Sequence, residues 1–545
     1  MVAWFAALAL AVSSPAPRCI QIIGTNDLHG HLEPDAHQAK ASAGAAPLQV
    51  EQGGLGGLAG YLDVLRAKHP NQVLLVDGGD LFQGTVASNL SKGAAVIAAY
   101  NALGYRAAAM GNHEFDFGPE RGEHDILGAI KTRLGEAHFP FLACNLVDRA
   151  TGKLPAWKNL KASTLVTVNG VKVGIIGAIT PDTPTVTIPT NVASLKFLDP
   201  AAPVAREAHK LRKEGAQLVV LIAHIGGACH DTKNPDDLSS CEPHSEMFSL
   251  LDKLPKGTLD VAIAGHTHNY IAQRVDGVAV SEAGSYSHSF GWVEACVGAK
   301  GAVTTTLHRP TDVCLSDWAE GGCGHCEQSA GTKPATFLGE KVTADEKVEA
   351  AIAPYLAKVK AKQQSKVGVT MAAPVLRRHD APSPLGKLIA QAIKAAVPDA
   401  DVGLTNAGGV RADLPSGPLQ WGEVFEVLPF DNRIVALKLT GKQLADFLVA
   451  PLVAGHGFPQ LAGAKLEFDR ANPDASKLTL NGAPVDPKKV YVLATNDFLA
   501  NGGDGTKPVM EGVAADHRGA PGVLVRDAFL DYLKSLPSPV QPPAP

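Results

Sequence analysis

The chain has 545 residues, 45% of them hydrophobic and 19% charged, with a formal net charge of −5. That length allows two or three domains with substantial cores. The acidic balance gives no electrostatic footprint for a nucleic-acid polymer, whereas a nucleotide-sized anion needs only local positive charge and metal ions.

Residues 1–12 are a short apolar run followed by small residues and proline. The run is too short to span a bilayer and resembles the core of a secretory signal peptide, although Arg18 is the first basic residue. We read 1–18 as an export signal, placing the protein in the periplasm or outside the cell. No other segment reads as a stable membrane span. Eight cysteines fit an oxidising compartment. Cys229 and Cys241 bracket a polar loop, as a loop-closing disulfide would. Cys314, Cys323 and Cys326 cluster around Cys-Gly-His-Cys at 323–326. Without a second CxxC, this reads as a disulfide-stapled connector rather than a redox or zinc site. Cys144 and Cys296, in strand-like runs, read as buried thiols.

From 19 to 335 the chain alternates between two periodicities. Apolar strand-like runs at 20–24, 73–76, 107–110, 171–179, 218–223 and 261–264 are separated by helix-spaced segments such as 58–68, 93–103 and 201–214. The expectation is an α/β domain with a largely parallel sheet. Strand-like runs at 278–282, 291–297 and 303–307 then follow without helices, as a meander closing a second sheet. Residues 344–366 predict one long exposed helix, and 336–367 is taken as the interdomain linker. A second α/β domain spans 368–537. Its expected elements are helices at 384–396 and 525–536 and strands at 402–405, 433–439 and 491–494. The Pro-rich tail at 538–545 is expected to be disordered.

Five clusters carry chemistry: Asp27-Leu28-His29, Gly79-Asp80, Gly111-Asn112-His113-Glu114, His224 and Gly265-His266-Thr267-His268. Each directly follows an apolar strand-like run, which places all five in loops at one sheet edge. Alone, each is a capped loop, a helix start or a surface turn. Together they can converge on two metal ions. Imidazole and oxygen donors without thiolate suit zinc or manganese, and paired ions of this kind serve phosphate-ester hydrolysis.

The series Thr-Asn-Asp-Leu-His-Gly-His at 25–31, Gly-Gly-Asp at 78–80, Gly-Asn-His-Glu-Phe-Asp at 111–116, His224 and Gly-His-Thr-His resembles the calcineurin-like metallophosphoesterases. More narrowly, it is similar to the secreted 5'-nucleotidase family, which includes bacterial UDP-sugar hydrolases. Leu-Thr-Asn-Ala-Gly-Gly-Val-Arg at 404–411, Leu-Pro-Phe at 428–430 and Asn-Asp-Phe-Leu-Ala-Asn-Gly-Gly-Asp-Gly at 496–505 resemble that family's C-terminal nucleotide-binding domain. The resemblance covers nearly the whole chain. It implies a phosphoesterase sandwich of two central sheets flanked by helices, followed by a smaller α/β (α+β) domain.

It also implies a ligand set. Asp27, His29, Asp80 and His268 would hold one divalent ion; Asp80, Asn112, His224 and His266 would hold the other, with Asp80 bridging. Spacing alone leaves Asp77 open as the bridge. His113 would contact phosphoryl oxygens or the leaving group, with Asp116 fixing its ring across one turn. Phe430 and Phe498 would clamp the base, each stack being worth roughly 1–3 kcal/mol. Asn406 and Arg411 would face the substrate, Arg411 as a bidentate donor to phosphate, and Asp504 would meet ribose hydroxyls. The family's upstream arginines have only Arg377 and Arg378 as counterparts, and an ungapped register puts His379 where an arginine is expected. The implied reaction is hydrolysis of nucleoside 5'-monophosphates, and of UDP-sugars or nucleotide di- and triphosphates by extension. A 2',3'-cyclic-nucleotide phosphodiesterase, a sulfate-thioester hydrolase and a non-catalytic nucleotide-binding protein share the scaffold.

Overall fold

The computed structural model describes residues 16–39, 48–120, 125–298, 301–317, 333–469, 471–473, 476–519 and 522–543. Most of the export segment and the Cys323–Cys326 sequence lie outside these.

Two sheets face each other in the first domain. One has the spatial order Val303–Asp312, Ser289–Val297, Arg18–Thr25, Val73–Asp77, Ala107–Ala109, Phe141–Leu142, Leu160–Lys161. The other runs Tyr270–Val275, Val278–Ala283, Val261–Ile263, Leu218–His224, Val171–Ile179, Ser163–Val168. The central strands of each are parallel. They read as continuous apolar runs because both faces are covered. Between the sheets Ile20, Ile22, Leu74, Val76, Ile175, Val220 and Ile263 form a dry layer. The sheets approach closely at Gly177, where a Cβ would lie 2.2 Å from the Leu142 side chain. Helices Leu55–Lys68, Ala94–Leu103 and Ala201–Lys213 cover the outer faces.

The expected meander is not one. Val278–Ala283 joins the second sheet, but Ser289–Val297 and Val303–Asp312 form a hairpin that crosses over and extends the first sheet beside Arg18–Thr25. Apolar periodicity gives a strand's faces and not its neighbours. The crossing also corrects the reading of Cys296. It sits opposite Cys19 in register, and the two form a disulfide. Cys229 and Cys241 are bonded as expected, and Cys144 is a buried thiol that burial pushes up to about 12.

The helix Glu346–Gln363 is not an exposed connector. Val348, Ile352 and Val359 are buried, and with Tyr355 and Leu356 they pack onto the first domain's core. Its Ala- and Lys-rich surface masks a narrow apolar stripe at helical spacing. The chain leaves this helix at Gln364 and Ser365, whose carbonyl accepts the Trp421 amide at 2.8 Å. The second domain is built on a mixed sheet, Ile434–Thr440, Val490–Asn496, Val402–Thr405, Gln460–Ala462, between helices Pro384–Ala395, Gly441–Val453 and Val525–Ser535. The described part of the tail is ordered. Val540 is buried and exchanges backbone hydrogen bonds with Thr370 and Ala372. Among the described residues no helix is long and apolar enough to cross a membrane.

Candidate active site

Each ligand cluster begins where a central parallel strand ends. Asp27 and His29 follow Arg18–Thr25, Asp80 follows Val73–Asp77, and Asn112 follows Ala107–Ala109. His224 closes Leu218–His224, and His266 and His268 follow Val261–Ile263. The chain turns sharply at each exit: Asp27, His29, Asp80, His266 and His268 all have positive φ, between 48° and 83°. Such conformations are costly for side chains other than glycine's and cluster at functional sites. Gly111 lets two of the loops touch, since a Cβ there would lie 2.2 Å from Asp80 Oδ1.

The side chains converge in two groups, Asp27 with His29 and His268, and Asp80 with His224 and His266. Asp80 Oδ2 lies between them, 3.0 Å from His224 Nε2 and 3.7 Å from His29 Nε2. Asn112 Oδ1 lies 2.9 Å from His224 Nε2. Asp77, which spacing leaves open, does not join either group. Its carboxylate accepts the Thr25 and Tyr100 hydroxyls and the Gly79 amide, and burial pushes it up to about 7.

The donor chemistry fits cations. His29 Nδ1 donates to the Gln83 carbonyl at 2.8 Å, and His224 Nδ1 to the Gly78 carbonyl at 3.1 Å. When neutral, each ring turns an Nε2 lone pair inward, although, against burial, the Asp80 carboxylate pushes His224 up to about 10. His29 Nε2 meets His268 Nε2 at 3.1 Å, and His224 Nε2 meets His266 Nδ1 at 3.2 Å. In the neutral forms, lone pairs at that separation would repel, and a divalent ion bound among them would satisfy both.

Two acids to which the sequence assigns no role, Glu114 within the third cluster and Glu282 outside all five, hold the loops together. Glu114 accepts the backbone amides of Asp80, Leu81 and Gly111, and burial beside Asp80 pushes it up to about 8. Glu282 accepts the Thr267 hydroxyl and the Gly227 and Asn269 amides, tying the His266–His268 turn to the chain beyond His224. Neither role can be read from sequence, because the groups these acids accept from are brought close only by folding.

His113 is no part of either metal group. Its Nδ1 lies 2.6 Å from Asp116 Oδ2. Burial would depress its pKa, but the Asp116 and Asp80 carboxylates outweigh burial and raise it above the ordinary value. A cavity of about 440 Å³ opens from this point into the second domain. Its walls include Asp80, Asn112, His113, Asp116, His266 and His268 from the first domain, and Asn406, Arg411, Phe430, Phe498 and Asp504 from the second. The Phe430 ring is 5.7 Å from that of His113, and Arg411 reaches to 3.5 Å from His29. Asp504 is buried in left-handed backbone, takes a 2.9 Å hydrogen bond from Asn406, and is pushed up to about 7 by burial.

Arg377 and Arg378 do not reach the cavity. Both are exposed, and Arg377 directs its guanidinium to the Val410 carbonyl. His379 lines the wall instead, with His456 beside it. The 229–241 loop is also absent from the wall. It is anchored on Tyr270–Val275 through Asp231 and Pro235 carbonyls.

Residues 20–270 match the calcineurin-like phosphoesterase family and residues 364–511 the 5'-nucleotidase C-terminal domain. Endonuclease YhcR of Bacillus subtilis is 24% identical over 531 residues, which make up 96% of this chain and 40% of that protein. The chain thus spans well under half of that relative's length. Snake venom 5'-nucleotidase of Crotalus adamanteus is 26% identical over 573 residues, 98% of this chain and 89% of the venom protein. The crystal structure of a 5'-nucleotidase precursor from Thermus thermophilus overlays with a TM-score of 0.74 at 26% identity, covering 95% of this chain and 96% of that one. With both models matched in order, this chain carries a calcineurin-like phosphoesterase domain followed by a 5'-nucleotidase C-terminal domain.

Proposed function

We propose that this protein hydrolyses nucleoside 5'-monophosphates to nucleoside and inorganic phosphate outside the cytoplasm. One observation carries the reading: a single cavity has the metal donors and the His113–Asp116 pair at one end and Phe430, Phe498, Asn406 and Asp504 at the other. Phosphate and base are therefore gripped by different domains.

Asp27, His29, Asp80 and His268 would hold one divalent cation, and Asp80, Asn112, His224 and His266 the second, zinc and manganese both suiting these donors. Two such ions neutralise phosphoryl charge and make water a nucleophile at neutral pH. The chain's own groups do the rest. His113, kept protonated by Asp116, donates to a phosphoryl or leaving oxygen as negative charge develops there. Arg411 offers its guanidinium to the phosphate. Phe430 and Phe498 stack on the base, which admits purines and pyrimidines alike. Asp504, with its raised pKa, can donate to as well as accept from the ribose hydroxyls. Export is supported by the Cys19–Cys296 and Cys229–Cys241 disulfides.

The test is phosphate release from AMP, ADP, ATP, UDP-glucose and 2',3'-cyclic AMP by metal-reconstituted protein and its His113→Ala variant. Turnover of AMP that collapses in the variant is expected. Preference for the cyclic nucleotide would move the reading to a phosphodiesterase. Binding of AMP without turnover of any substrate would make the protein a nucleotide-binding member of the fold.

A further inference from the structure

Thr187 lies on the segment that follows Val171–Ile179, more than seventy residues from the Gly-Asn-His-Glu-Phe-Asp motif. It is 2% exposed, and its hydroxyl donates to Asp116 Oδ1 at 2.7 Å while Asp116 Oδ2 faces His113 Nδ1 at 2.6 Å. The acid is thus held from both oxygens, by the ring it orients and by a hydroxyl from another strand's exit loop. The same segment braces the motif twice more. The Val186 carbonyl accepts the Asn112 side-chain amide at 2.9 Å, which turns Asn112 Oδ1 toward His224. Asn191 donates to the Phe115 carbonyl at 2.7 Å. On its other side, the short helix Thr183–Val186 packs against Gly503–Gly505, the turn that carries Asp504.

We propose that Thr187 is a positioning residue for the hydrolytic reaction. Its hydroxyl fixes the Asp116 carboxylate in the rotamer that aims His113 at the substrate. A free carboxylate can rotate and pair with His113 through either oxygen, and each rotation swings the imidazole. Occupying Oδ1 removes that freedom before substrate binds, which is how preorganisation lowers a barrier. Because the segment bearing Thr187 also touches the Asp504 turn, the nucleotide domain rests on the element that holds the dyad.

This inference rests on the proposed hydrolase reading, so its test includes a measurement that needs no substrate. In Thr187→Val, which keeps the volume and removes the donor, the low-field proton resonance of His113 Nδ1 should move. In Thr187→Ser it should return to the wild-type position. On AMP, kcat of Thr187→Val should fall about tenfold with KM within twofold and metal content unchanged, a part of the factor general acid catalysis supplies. Thr187→Ser should recover most of it. Added to His113→Ala, the valine substitution should cost nothing more, because both act through one group. Should Thr187→Val be unstable, Thr187→Ala is read the same way. An unmoved His113 resonance, losses that add to those of His113→Ala, or equal impairment of the Ser and Val variants would each overturn the assignment. Failure of the wild type to release phosphate from nucleotides would count against the hydrolase reading alone, leaving the resonance to decide the role of Thr187.

Discussion

On the phosphoesterase side of the cavity, Asp27, His29, Asp80, His266 and His268 all sit in left-handed backbone, the first three buried and the last two half-buried. On the nucleotide side Phe430 and Phe498 are half-buried rings, and Asp504 is the strained residue. The difference follows from what each wall displays. Lone pairs and carboxylates repel one another, so bringing them together takes backbone strain, on the order of 1–3 kcal/mol per residue, and a frame of buried acids such as Glu114 and Glu282. Aromatic rings that meet a base need only be presented at a solvent-facing edge. One wall is therefore framed by buried acids and turned backbone, and the other by half-buried rings.

Four measurements break or sharpen that contrast. The largest effect should come from metal removal. Chelation should abolish phosphate release, and zinc or manganese should restore wild type but not Asp80→Ala, which lacks the shared carboxylate. Activity retained by Asp80→Ala would place the bridge elsewhere. Next, His113→Ala should keep its metals, assayed by elemental analysis, and lose kcat by roughly 10²–10⁴-fold. On the other wall, Phe430→Ala or Phe498→Ala should raise KM for AMP about tenfold or more, from 1–3 kcal/mol per stack. Turnover of glycerol phosphate, which has no base, should be unchanged by the same substitutions. A comparable loss on both esters would make the rings structural rather than a clamp.

The last effect concerns stability rather than turnover. Asp504 titrates near 7 in the fold because burial penalises its charge, against 3.8 for the free side chain. Below 3.8 both folded and unfolded chains hold the proton and the group costs nothing. From there to about pH 7 the unfolded chain releases it first, so stability falls as pH rises. Asp504→Asn should therefore raise the melting temperature of the ligand-free protein at pH 8 and leave it unchanged at pH 4, while weakening AMP binding. Equal melting curves at pH 8 would mean the carboxylate is already compensated.

The phosphoesterase wall is largely legible in the linear chain. Asp27, His29, Asp80, Asn112, His224, His266 and His268 each sit beside the strand that delivers them, so motif and strand are read together. Phe430, Phe498 and Asp504 are legible only through their motifs, since an isolated Phe or a Gly-Asp turn has no pattern of its own. Arg377 and Arg378 illustrate the limit. Neighbouring positions on an irregular segment point in unrelated directions, and it is His379 that meets the cavity. The helix Glu346–Gln363 is legible in its place but not in its exposure, because three buried positions among many Ala and Lys leave a faint periodicity.

What the sequence by itself determined was local: strand runs, the turns after them, and the donor types that a pair of divalent ions requires. Only the tertiary structure decided which strands became neighbours. It moved Ser289–Val297 into the first sheet, paired Cys19 with Cys296, and set Asp80 rather than Asp77 beside His224 and His266. It also set Thr187 against Asp116 and Glu282 beneath the His266–His268 turn. The reason is physical. Periodicity and turn chemistry are written in residues a few positions apart, whereas pairing across tens or hundreds of residues is settled by packing and hydrogen-bond satisfaction, which leave no spacing to read.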